Sequence, residues 1–135
     1  MKIQLKFIII TILSAAVMLG LSSFFHAVIL HDFQGFLLTF TQLVIGLSVV
    51  YVGIAVLLIV CISWYWNYFS LLKAIVLSSV LGIFLYILAT LLGHTFNDSH
   101  TTTQLFIDVA WQMIEQGAGG FVTYSLLSIG YKSIN

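Results

Sequence analysis

Charge is the commodity this chain has least of. Of its 135 residues, 6% are Asp, Glu, Lys or Arg, while 61% are hydrophobic. A soluble domain carries about 25% charged residues, so this chain cannot cover a water-facing surface and is expected to be an integral membrane protein. Proline is absent, which removes the usual cause of a sharp helix kink. The one cysteine, Cys61, allows neither an internal disulfide nor a thiolate metal site, and in an apolar run it reads as a small packing residue. Arginine is absent too. Four lysines balance four acids to a formal net charge of zero, which argues against nucleic acid as a partner. There is no G-x-S-x-G or H-E-x-x-H motif, and Ser22-Ser23 near His26 lacks an orienting third group, so no enzymatic activity is expected.

What is present is a set of long apolar runs. They predict four membrane spans in a single domain, at about 7–30, 36–62, 74–93 and 104–131. The opening MKIQLK and the Ser14-Ala15-Ala16 stretch resemble a signal peptide. The apolar run continues well past Ala16, however, and is read as an uncleaved anchor. HDFQG is a short connection between spans 1 and 2. Trp64, Tyr65, Trp66, Tyr68 and Phe69 form an aromatic belt before span 3. HTFNDSHTT is the most polar stretch, and Thr101-Thr102-Thr103-Gln104 has the form of a capping box at the start of span 4. Lys2, Lys6, Lys73 and Lys132 all fall on one side of this layout. The positive-inside rule therefore places both termini in the cytoplasm and the two polar loops outside.

Each span carries small or polar residues at helical spacing. These are Thr11, Ala15, Met18, Ser22 and His26 in span 1, and Thr39, Gln42, Gly46 and Gly53 in span 2. Span 3 has Ser78, Gly82, Tyr86, Ala89 and Gly93, and span 4 has Asp108, Gln112, Glu115 and Gly119. Lipid supplies no hydrophobic reason for helices to associate, so close packing and interhelical hydrogen bonds must do it. Four facing stripes predict an all-α integral membrane protein built as an antiparallel four-transmembrane-helix bundle, with both termini cytoplasmic. The Gly117-Ala118-Gly119-Gly120 run has no lysine beside it and is expected to pack helices rather than cradle phosphate.

Span 4 holds the chemistry. Asp108 and Glu115 are i and i+7, with Trp111 and Gln112 between them on the same face. Glu115 lies roughly 16 Å from the outer end at ~1.5 Å per residue, near the middle of a ~30 Å hydrocarbon core. An ionisable group there must face protein or a water-filled cavity. Three roles are open to it. As a structural pin, Glu115 would bond Ser22, Gln42 or Tyr86, and would stay neutral or share a proton because an unpaired buried carboxylate is costly. Alternatively, Glu115 and Asp108 would relay protons or cations in a small transporter or channel. In the third reading, the outer histidines, chiefly His26 and His94, would hold haem or a transition metal. Their spacings match no HxxxH, CxxC or CxxCH pattern, and no cofactor is required by the sequence.

The layout, with FFHAVILHDF closing span 1 and FIDVAWQMIEQGAGG in span 4, resembles that of many short four-span bacterial inner-membrane proteins. The expected role is a non-enzymatic accessory or interaction subunit of the bacterial inner membrane. It would meet lipid, other membrane proteins or further copies of itself, with Glu115 as its interior polar residue.

Overall fold

A computed structural model describes residues 2–25, 28, 40–94 and 102–132. Among the described residues there are helices and no strands. Helix α1 spans Lys2–Phe24, α2 Phe40–Trp64, α3 Leu71–His94 and α4 Thr102–Lys132, with a 3-10 turn at Trp66–Tyr68 between α2 and α3. Three helices are long and apolar enough to cross a membrane, through Leu5–Phe24, Val44–Trp64 and Leu71–Leu88. Helix α4 is longest at 31 residues, but Asp108, Gln112, Glu115, Gln116 and its glycines make it the least apolar. The capping threonine expected at 101 lies outside the described residues.

The α2–α3 turn is held from both sides. The Ser70 hydroxyl accepts from the Lys73 backbone N–H (3.4 Å), and the Lys73 ammonium donates to the Tyr68 carbonyl (3.0 Å). Of the aromatic belt, Trp64, Tyr65 and Tyr68 are exposed, as rings at a headgroup boundary would be. Trp66 instead turns in and stacks on Tyr124 of α4, with ring centroids 5.2 Å apart.

Helix direction follows from the residues that meet. Along the α1–α4 seam, Ser14 pairs with Thr123 and Met18 lies over Gly119, while Phe25 stacks on Trp111. One helix therefore ascends as the other descends. Along α3–α4, Ser78 meets Gly120, Ser79 bonds the Met113 carbonyl and Tyr86 bonds Asp108, which is again antiparallel. Ile10 of α1 packs beside Ile59 and Ile62 of α2, and Ala15 and Met18 pack beside Tyr51 and Ala55. These pairings bring the start of α1, the start of α3 and the end of α4 together. Lys6, Lys73 and Lys132 thus belong to one end of the assembly.

Glycine sets how closely α3 and α4 approach, and this is the most extensive helix pairing. A Cβ on Gly120 would strike the Ser78 hydroxyl and come within 2.6 Å of the Ala74 carbonyl oxygen. One on Gly82 would run into the Gln116 side chain and lie 2.8 Å from its Cβ. Without a hydrophobic drive between helices in lipid, such backbone proximity supplies the van der Waals contact that holds them together.

Helix α2 departs from the expected pattern. Its stripe of Thr39, Gln42, Gly46 and Gly53 was expected to face inward. Thr39 lies outside the described residues, Gln42 is exposed, and a methyl group added at Gly46 or Gly53 would touch nothing among the described residues. The buried face is Tyr51, Ile54, Ala55, Leu58, Ile59 and Ile62. At ~100° per residue, Ala55 lies about 200° from Gly53, so the two sets occupy opposite sides of the helix. Ala15 on α1 already provides a small residue at that contact, which leaves α2 free to contribute bulk.

The two glycine environments predict opposite responses. Gly120→Leu should lower the thermal midpoint in detergent, corresponding to about 1–3 kcal/mol of overpacking strain or more. Gly53→Ala should leave it unchanged, or raise it by up to about 1 kcal/mol through helix propensity. Equal losses in the two variants would contradict the outward face assigned to α2.

Candidate functional site

The site is assembled around the middle of α4. Glu115 and Gln116 both have zero solvent exposure. As neighbours on a helix they project about 100° apart, and the two side chains serve different seams. Gln116 fills the notch left by Gly82 on α3. Glu115 is hydrogen-bonded by the hydroxyls of Ser22 on α1 and Tyr51 on α2, both of which are themselves buried. Tyr51 and Ser22 also lie within interaction distance of each other. The Gln116 amide Nε2 reaches Glu115 Oε1 at 3.5 Å. Three helices therefore converge on one carboxyl group.

Two acceptor atoms in this cluster are buried without a hydrogen-bond partner, Glu115 Oε2 and Gln116 Oε1. One turn away, the Trp111 indole N–H is likewise buried and unmatched, while its ring stacks on Phe25 at 4.3 Å and 8°. Above the cluster, the half-buried Tyr86 hydroxyl donates to Asp108 Oδ2 at 3.0 Å, tying α3 to α4. Below it, Ser14 and Thr123 share a fully buried 2.8 Å bond between α1 and α4. Between these last two levels Met18 sits in the space left by Gly119, an apolar plug in an otherwise polar seam.

Several sequence-derived candidates are thereby placed. Ser22 meets Glu115. Tyr86, expected as an alternative partner of Glu115, instead serves Asp108. Gln42 stands nine residues before Tyr51, about 13 Å earlier along α2 at ~1.5 Å per residue, and the hydroxyl that reaches Glu115 from α2 is that of Tyr51. Gln112 is half-buried, and its backbone carbonyl lies against Gly82. His26 lies outside the described residues, and His94 is the last residue of α3. Among the described residues no three His, Cys, Asp or Glu side chains gather as a metal cluster would require.

Tyr51, Gln116, Ser14 and Thr123 were not singled out from the sequence. A signal for the last two existed. Ser14 precedes Ser22 by eight residues and Thr123 follows Glu115 by eight, which is the register of two antiparallel helices sharing a seam. Tyr51 and Gln116 gave no comparable sign, because aromatic and amide side chains at such spacing are equally at home on a lipid boundary.

No family model matches the chain, and neither does any curated protein or solved structure.

If the carboxyl of Glu115 ties the helices, its acceptor atoms rather than its charge matter for stability. Glu115→Gln should be nearly neutral in thermal unfolding. Glu115→Leu should cost about 1–3 kcal/mol, because it strands the Ser22 and Tyr51 donors. Thr123→Val should lose about 0.6 kcal/mol, typical of an interhelical bond in a membrane protein. Indifference to Glu115→Leu would remove the carboxyl from the role of a tie.

Proposed function

We propose that this is a small polytopic inner-membrane protein acting as a non-enzymatic accessory or interaction subunit, alone or as a homo-oligomer. In this reading α4 is the fourth span of an antiparallel four-helix bundle, shielded on its polar face by α1, α2 and α3. The end carrying Lys6, Lys73 and Lys132 lies in the cytoplasm with both termini, in keeping with the preference of cytoplasmic segments for lysine. Glu115 works inside as a polar pin that fixes which helix faces meet.

The observation that carries the interaction role is the outer face of α2. Small residues on one helix face let transmembrane backbones come close, yet a Cβ added at Gly46 or Gly53 would meet nothing among the described residues. They are flanked by exposed Val49, Val50 and Val52, which offer branched side chains beside the groove. The α3–α4 and α1–α4 seams use their glycines for close approach, whereas α2 presents a pair of them outward. A second helix, from another copy or a different membrane protein, suits it.

Mass measurement of the detergent-solubilised complex tests this. The wild-type chain should run as an assembly larger than one copy, and Gly46→Leu/Gly53→Leu should reduce it to the single chain with its thermal midpoint retained. A wild type that is monomeric and partnerless in mild detergent, or an assembly indifferent to both leucines, would overturn the proposal.

A further inference from the structure

The interior cluster has more acceptors than donors, and this bears on what it can hold. We propose that Glu115, Gln116, Ser22 and Tyr51 form an oxygen-lined site for one small monovalent cation. Around Glu115 the donors are already committed. The Ser22 and Tyr51 hydroxyls are bonded to its carboxyl, and the Gln116 amide N–H points at Oε1. Glu115 Oε2 and Gln116 Oε1 remain, both on side chains with zero exposure and both unmatched. A buried acceptor without a donor costs about 1–3 kcal/mol, and two on adjacent residues, one a carboxyl and one an amide, invite a positively charged guest.

The donor set selects the guest. Each hydroxyl keeps lone pairs while donating its hydrogen, so Ser22 and Tyr51 can ligate a cation without releasing Glu115. All four groups then offer oxygen, the ligand of hard cations. Trp111 brings only an N–H donor and cannot ligate. Only one side chain of the four carries a formal charge, so a single positive charge neutralises the site. A divalent ion would leave a net charge in a medium where an uncompensated charge is very costly. Nor do the described lysines Lys6 and Lys73 compete for the carboxyl from nearby. Lys6 is sixteen residues before Ser22, about 24 Å along α1 at ~1.5 Å per residue, and Lys73 is engaged with the Tyr68 carbonyl. Met18 in the Gly119 notch closes the seam on the side of Thr123.

The site differs from the outer groove of α2 in residues and in position, so either can fail without the other. The test uses the full-length protein in mild detergent at one fixed pH, with sodium chloride titrated against choline chloride at constant ionic strength. A hydrophobic carbodiimide labels Glu115, read by mass spectrometry, and the thermal midpoint is recorded in parallel. Sodium should slow labelling about tenfold and raise the thermal midpoint, as a ligand of the folded state must. Tyr51→Phe and the size-conserving Gln116→Met each remove one oxygen. Each should raise the sodium concentration needed for protection about tenfold, the equivalent of one lost ligand of about 1.4 kcal/mol. Labelling and midpoint both indifferent to sodium, lithium and potassium would overturn the site, leaving only a proton or water there.

Discussion

A carboxyl group with zero solvent exposure has no bulk water to satisfy it, and the rest of this structure is arranged around that requirement. Glu115 draws a hydroxyl from α1 and another from α2, and its neighbour Gln116 turns toward it from the α3 side. The two hydroxyl bonds, from Ser22 and Tyr51, can form only when the helices adopt one rotation and one register. An apolar residue at 115 would accept many rotations of α4 against lipid-like neighbours, because hydrocarbon contacts are nearly interchangeable there. The polar group therefore contributes specificity more than raw stability. That use of buried polarity is well attested where helices must choose among similar packings.

Close approach does the remaining work, and it is unevenly distributed. The α3–α4 seam is a small-residue interface in which glycines on α4 accept serines from α3. The α1–α4 seam combines one glycine notch with hydrogen bonds above and below it. Against α1, by contrast, α2 offers Ile, Leu and Tyr, and it keeps its glycines outside. Interior polar groups thus sit on the two tight seams, where the backbones leave short side chains within reach of each other. The outward glycines of α2 sit where another helix could repeat the same kind of contact.

The membrane character, the helical class and the special standing of Glu115 were all legible in the chain. Each rests on a local property: the length of an apolar run, the absence of proline, or an acid within an apolar stretch. Inward facing was legible for Ala15, Met18, Ser22, Ser78, Gly82 and Gly119, since a small or polar stripe has only one use when a neighbouring helix is the alternative to lipid. The same rule misread α2. A glycine stripe is equally compatible with a partner inside the chain and one outside it, and spacing alone cannot distinguish them.

The sequence by itself determined that the chain belongs in a bilayer, which segments are helices and which residue is too polar to meet lipid, because these follow from transfer energies summed over short stretches. Only the tertiary structure decided that Tyr51 rather than Gln42 answers Glu115 from α2. It alone showed that Tyr86 serves Asp108, and that one buried acceptor oxygen on Glu115 and one on Gln116 are left without a donor. The reason is geometric. Hydrogen-bond partners on different helices are chosen by axial register and rotation, quantities that depend on all four helices together and leave no trace in the spacing within any one of them.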